Sequence, residues 1–276
     1  MAALQQRASE LMPMRIARSW QSASMFRVYL LFTLFSLLTA SSFCIEQSMG
    51  MGIEGSHIVM KTSCSSFFFN SQVNNAQGWK VIPEECEELV AQYMNGGQYA
   101  MDMEGVAVAA LDYLKGIKAG EDGKDVVIFD IDETALSNLP YYRKHRYGAE
   151  VFDHPLFSKW VEEGVAPAIP AMLSLYRALQ ADNWGIVFMT GRTENQRNIT
   201  SVNLLAVGYG EWTTLLLRSP SEVHLSAVEY KTQKRLQLQE QGYRIWSSLG
   251  DQWSDLAGAA VGNRTFKLPN PMYHIP

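Results

Sequence analysis

Two rhythms run along this chain, and the change from one to the other near residue 125 divides it. From Pro83 the apolar positions recur at helical spacing. Glu84 and Glu85 stand in a first turn and Leu89, Val90 and Tyr93 follow on one face. A second helix is expected over 98–118, with Val106, Ala110, Leu114 and Ile117 forming its stripe, until Gly120 and Gly123 break it. After Asp125 come short apolar runs of strand length: 126–129, 185–189, 215–217, 244–249 and 265–268. Helical patterns over about 168–180, 194–207, 231–241 and 253–261 separate them. Strand and helix alternating to the end of the chain predict an α/β fold, a parallel sheet with helices on both faces. The aromatic-rich stretch from Leu139 to Pro167 interrupts the alternation after the first strand and reads as a small cap insertion. Residues 45–82 show little periodicity and read as an extended arm carrying Phe67, Phe68 and Phe69. The expected organisation is therefore a leader over 1–44, an N-terminal arm with helices over 45–120, and a core over 121–276 with its insertion at about 139–167.

The leader changes the picture of where the protein works. Val28 to Leu38 is apolar, Arg27 precedes it and small residues follow, which describes a secretory signal peptide. The run is too short to span a bilayer comfortably. Met25 begins a compact signal of ordinary form, so it is a candidate working start, with residues 1–24 an unusual extension. The secretory pathway, ending in the vacuole or outside the cell, is the expected destination, with no stable membrane span after signal cleavage. Of three cysteines, Cys44 lies at the end of the signal region. Cys64 and Cys86 remain as an even pair, read either as a disulfide or as two buried thiols, and an oxidising compartment favours the bridge. Asn198 and Asn263 each open a glycosylation tripeptide. A net charge of −5 without a long basic run argues against a nucleic-acid partner.

Open parallel sheets bind ligands beyond the carboxyl ends of their strands, so the residues after each apolar run carry the chemical interest. Asp130 and Asp132 follow the first strand and leave it on the same side. Two carboxylates so close are costly unless a cation or a phosphate reaction requires them; otherwise they form a solvated turn with Asp132 and Thr134 as helix caps. One such carboxylate can attack phosphorus, and the other can protonate the leaving alcohol and then deprotonate water. Thr190 and Gly191 follow the second strand and read as an anion cradle or as an N-cap. Lys231, expected just before a helix, can neutralise a transferring phosphoryl group or be merely solvated. Gly250-Asp251 follow the fourth strand, with Asp255 four residues on. They add oxygen ligands suited to Mg2+, or else they cap a helix. In the insertion, residues 141–146 offer tyrosines and basic groups that either meet a substrate or form a solvated turn.

The set Asp130-x-Asp132-x-Thr134, Thr190, Lys231 and Gly250-Asp251-x-x-x-Asp255 resembles the four motifs of the haloacid dehalogenase (HAD) superfamily. More narrowly, Phe129 to Leu139, Met189 to Arg197, Gly242 to Leu256 and Arg264 to Tyr273 resemble the plant acid phosphatase and vegetative storage protein family. Trp79, Pro83, Cys86, Tyr93 and Met94 fit as well, so the likeness covers roughly residues 60–276. The resemblance implies a Rossmann-like sheet of strand order 5-4-1-2-3 behind an N-terminal helical arm. It implies Asp130 as nucleophile and Mg2+ ligand, and Asp132 as acid/base that also binds Mg2+ through its main-chain carbonyl. Thr190, Gly191 and Lys231 would hold the phosphate, Asp251 would complete the metal site and Asp255 would support it. The implied activity is hydrolysis of small phosphate monoesters through an aspartyl-phosphate. A vegetative storage glycoprotein with vestigial activity is the alternative, and a homodimer is admitted but not required.

Overall fold

The computed structural model describes residues 63–276 and, before them, the backbone of a two-residue antiparallel ladder pairing Ile53–Glu54 with His57–Ile58. The signal-like run, Met25, Cys44 and most of the expected arm before Ser63 lie outside the described residues. The chain divides into a unit over Met1–Lys61 and a compact unit over Thr62–Pro276.

Five strands form one all-parallel sheet: β1 (Asp125–Phe129), β2 (Gly185–Thr193), β3 (Thr214–Arg218), β4 (Arg244–Gly250) and β5 (Arg264–Lys267). Their order is β3-β2-β1-β4-β5, which is the 5-4-1-2-3 order expected. β1 is central and all five of its residues are buried. Alternation along it feeds two cores. Val127 and Phe129 join Phe188 and Tyr176 on one face, and Val126 and Ile128 join Val187, Met189 and Tyr230 on the other.

The helices are α1 (Cys64–Gln72), α2 (Glu87–Asn95), α3 (Gln98–Lys115), α4 (Leu139–Lys144), α5 (His154–Glu163), α6 (Pro170–Ala181), α7 (Arg197–Ala206), α8 (Ala227–Glu240) and the single turn α9 (Trp253–Leu256). α4 and α5 occupy the expected insertion.

Four expectations require correction. Part of the supposedly extended arm is α1, capped by the Ser63 hydroxyl, which accepts from the Ser66 N–H. Ser, Phe and Asn are mediocre helix formers, so packing decides this element. Phe67 meets Trp79 edge-on at 5.4 Å, Phe68 meets Tyr93 at 4.7 Å, and a Cys64–Cys86 disulfide ties α1 to the chain just before α2. The helix expected over 253–261 is only one turn long, because Ala257 is extended and Gly258 takes a positive φ of 85°. The freed carbonyls of Ala257 and Ala259 accept from the buried Arg235 guanidinium instead. α8 starts at Ala227 in a capping box between Ser226 and Glu229, so Lys231 sits inside that helix rather than before it. Finally, β2 runs on to Thr193, so Thr190 and Gly191 end a strand rather than begin a helix.

Candidate active site

At the carboxyl end of the sheet β1, β2 and β4 bring Asp130, Asp132, Thr190, Gly191 and Asp251 together, and the helices α8 and α9 add Lys231 and Asp255. A cavity of about 700 Å3 opens there, lined by Asp130, Asp132, Gly191, Lys231 and Asp251. β1 keeps its register one residue past its end, where the Asp130 N–H donates to the Leu249 carbonyl at 3.0 Å. The chain then wraps tightly around the Ile131 carbonyl, which accepts from the N–H groups of Thr134, Ala135 and Leu136. Glu133 takes the left-handed conformation (φ 56°) that this turn demands.

The two leading carboxylates have different partners. Asp130 accepts from Lys231 Nζ at 2.7 Å, and the same ammonium also donates to Asp255 Oδ1. Asp132 lies against Arg192, whose Nη2 donates at 2.7 Å and Nε at 3.2 Å, and it accepts from Asn138 Nδ2 at 2.9 Å. Thr190 Oγ1 takes the Arg192 N–H at 3.1 Å and turns its own hydrogen toward Asp132 at 3.4 Å. Burial works against the charge on Asp132, but the Arg192 guanidinium outweighs it and holds the carboxyl below its ordinary range. Asp130 goes the other way: burial pushes it up, Asp255 and Asp251 add to the push, and Lys231 opposes it. Lys231 is itself raised, because Asp130 and Asp255 together overcome its own desolvation.

Asp251 and Asp255 complete the acidic group. Asp255 Oδ2 accepts the Gln252 N–H at 2.9 Å and its Oδ1 accepts from Lys231, so both oxygens are engaged. A Cβ on Gly250 would collide with this carboxyl group, which is why a glycine stands there. Asp251 Oδ2 accepts from Asn270 Nδ2 at 2.7 Å and from Gln252 Nε2 at 2.5 Å, while its Oδ1 is buried without any hydrogen-bond partner. Burial, helped by Asp255, lifts Asp251 to about 6. Asp130, Asp251 and Asp255 can each present an oxygen within 4.8 Å of the others. Three buried carboxylates thus share one directly bonded ammonium, Lys231, with Lys267 close enough to act on Asp251 and Asp255, and one carboxylate oxygen is orphaned. That donor set fits an oxygen-seeking divalent cation, which would satisfy the free oxygen and the surplus charge together.

Several residues around the site carry no local signal in the sequence. Arg192 stands two residues after Thr190, with nothing in its spacing to single it out. Asn138 bridges Asp132, Glu133 and Trp160 Nε1 from the edge of the insertion. Glu133 is fully buried, pushed up to about 8 by desolvation and the nearby Asp251 and Asp132, and it accepts from the Tyr273 hydroxyl. Asn270 and Tyr273 come from the C-terminal tail.

The insertion divides by chemistry. Tyr141, Tyr142 and His145 line the cavity, with Phe152, Phe157 and Tyr273. The basic residues beside them turn away. Arg143 donates to Asn95 Oδ1 at 2.9 Å, and Arg146 pairs with Glu84 and Glu87. These bonds fasten the insertion to α2 and the turn before it, and neither arginine lines the cavity. Asn198 and Asn263 are both exposed.

Known proteins are similar to this chain over most of its length. The chain is 46% identical over 212 residues to acid phosphatase 1 of Solanum lycopersicum, covering 77% of this chain and 83% of that one. It is 42% identical over 217 residues to a stem 28 kDa glycoprotein of Glycine max, covering 78% and 85%. It is 35% identical over 216 residues to vegetative storage protein 2 of Arabidopsis thaliana, covering 78% and 81%. Its fold matches the class C acid phosphatase from Bacillus anthracis with a TM-score of 0.57 at 22% identity, over 69% of this chain and 86% of that one. The family model for the HAD superfamily, subfamily IIIB (acid phosphatase), matches residues 48–276, and the chain belongs to that family.

Proposed function

We propose that this protein hydrolyses small phosphate monoesters by way of an aspartyl-phosphate on Asp130, with Mg2+ as its cofactor. The observation that carries the reading is the Asp130 carboxylate, bonded to Lys231 at 2.7 Å in a strand-end cavity beside an unpartnered Asp251 oxygen. Asp130 attacks phosphorus, and the bond from phosphorus to the ester oxygen breaks. Asp132, which must first take up a proton from solvent against the pull of Arg192, gives that proton to the departing alcohol. In the second half, Asp132 takes a proton from water as that water attacks phosphorus, and the bond from Asp130 to phosphorus breaks, releasing phosphate. Arg192 and Asn138 hold Asp132 in one place through both halves. Thr190, the Gly191 N–H and Lys231 receive the phosphoryl oxygens. Asp130, Asp251 and the Asp132 main-chain carbonyl would hold the Mg2+, which when bound neutralises charge on the transferred group. Asp255, with both oxygens engaged, orients Lys231.

The cavity is roomy, and aromatic side chains of the insertion and the tail line part of it, so selectivity among small phosphomonoesters is expected to be low. The disulfide and the relatives named as glycoproteins support a route through the secretory pathway, to the vacuole or the cell exterior. The 35% identity to a vegetative storage protein favours a second reading, a storage glycoprotein with weak activity. One assay separates the two. Hydrolysis of p-nitrophenyl phosphate should stop with EDTA and in Asp130→Asn if the first reading is right. Low turnover that neither treatment changes supports the second.

A further inference from the structure

Resting on the metal-site reading just given, we infer that Gln72, in the arm and outside the sheet, is a positioning residue for Asp251. The connection runs through Asn270. Gln72 Nε2 donates to the Asn270 carbonyl at 3.0 Å, and Gln72 Oε1 accepts the Asn270 N–H at 2.9 Å. Those are the hydrogen bonds made by the Asn270 main chain among the described residues. The Asn270 side chain then faces the other way. Its Oδ1 accepts the Met272 N–H at 2.9 Å, which leaves Nδ2 to donate to Asp251 Oδ2 at 2.7 Å. Both amides are fixed in one orientation by this pattern, because Asp251 offers only acceptors there and a main-chain N–H only a donor.

Asn270 is 3% exposed and belongs to no strand or helix. Its position is therefore not inherited from the sheet. The last sheet contact before it is the Leu268 N–H on the Gly250 carbonyl at 2.9 Å. Gln72 supplies what a sheet would otherwise supply, pairing both main-chain groups of Asn270 from α1. α1 is in turn seated by the Trp253 indole N–H, which donates to the Gln72 carbonyl at 3.1 Å, and by the Cys64–Cys86 disulfide. With Oδ2 held by Asn270 and Gln252, the free Asp251 Oδ1 is left aimed for a cation. A partner that bonds a metal ligand directly, as Asn270 does, typically sets the affinity by tenfold or more, and Gln72 acts by holding that partner.

Calorimetric titration of the full chain with Mg2+ alone tests this, beside p-nitrophenyl phosphate kinetics. Gln72→Leu keeps the volume and removes both bonds. The dissociation constant for Mg2+ should rise on the order of tenfold, while kcat at saturating Mg2+ stays within about twofold of wild type. Ser63→Ala loosens the same helix at its far end without touching Asn270, and it should leave Mg2+ affinity unchanged. An unchanged dissociation constant in Gln72→Leu overturns the inference, as does an equal weakening in Ser63→Ala or a kcat loss that excess Mg2+ does not restore. If circular dichroism shows Gln72→Leu unfolded, Gln72→Glu keeps the acceptor and loses the donor, and its affinity must then fall below that of wild type. Wild type that binds no Mg2+ and works in EDTA would instead overturn the metal reading itself, a result read without any variant.

Discussion

β1 and β4 carry charged residues at both ends, and the two ends treat their aspartates in opposite ways. At the amino end, Asp125 opens β1 and Arg244 opens β4. Asp125 accepts from Arg244 Nε at 2.7 Å, Trp246 Nε1 at 2.6 Å and the Gly120 N–H at 2.6 Å. Those hydrogen bonds, the Arg244 ones above all, hold it far below the carboxylate range against the pull of burial. At the carboxyl end of the same two strands stand Asp130 and Asp251. Lys231 is the one cation on Asp130, Asp251 keeps an oxygen with no partner, and burial drives both upward. A saturated carboxylate stabilises the fold and has nothing left to offer a ligand. An unsaturated buried one destabilises the fold until something binds, which is the mark of a site.

The sharpest way to break this contrast is Asp130→Asn. Turnover should fall by a factor on the order of 10^4 or more, as for other covalent nucleophiles. The melting temperature in EDTA should equal or exceed that of wild type, since one of three crowded carboxylates loses its charge while Lys231 keeps Asp255. A lower melting temperature would show that the carboxyl end is as saturated as the amino end. Gly250→Ala comes next. Its Cβ would push on the Asp255 carboxyl group and through it on Lys231, so kcat should drop about 10^2-fold, the usual consequence of moving catalytic groups by an ångström. Unchanged kcat would mean that Asp255 does not orient the lysine. Asp125→Asn should do the reverse of Asp130→Asn. It should lower stability by about 2 kcal/mol through weakened charged hydrogen bonds, measured by urea unfolding, and leave kcat per folded molecule alone.

The amino-acid sequence makes the carboxyl end far more legible than the amino end. Asp130, Asp132, Lys231, Asp251 and Asp255 stand beside strand-length apolar runs, and a parallel sheet gathers strand ends by topology alone. The strand order needs the resemblance, because periodicity gives strands but not neighbours. What stays hidden is whatever arrives by long-range packing. Asn138 stands at the edge of the insertion, Asn270 in the tail and Gln72 in a helix with no clear apolar stripe; the first two lie in stretches that carry the resemblance, but each is an amide whose partner the sequence does not show. α1 is invisible for the same reason: Phe67 and Phe68 are adjacent, so they bury against Trp79 and Tyr93 from two directions and leave no helical rhythm. Lys231 is found by motif but misplaced by pattern, because the helix begins at the Ser226 capping box, ahead of the start expected at about 231.

The pH dependence of stability gives the smallest effect and separates the two ends in one experiment. Asp251 ionises near pH 4 when unfolded and near 6 when folded, so between those values the folded state binds more protons. Its contribution is complete below about pH 4 and is lost as pH rises toward 6. Glu133, raised to about 8, carries the same decline further. Asp125 has the opposite sign: its folded value is depressed, so its contribution is present above about pH 4 and disappears as pH falls. In EDTA, melting temperature against pH should therefore rise from strong acid to about pH 4 and decline beyond it. Asp251→Asn should flatten the decline between pH 4 and 6 by a few degrees and leave the acid limb intact. Asp125→Asn should flatten the acid limb and leave the decline. Mg2+ at pH 7 should recover in wild type the part of the decline that Asp251 causes, because a cation favours the ionised carboxylate that burial disfavours. If Asp251→Asn left the decline unchanged, the unpartnered oxygen would not be the source of strain at this end, and the contrast between the two ends would rest on Asp130 alone.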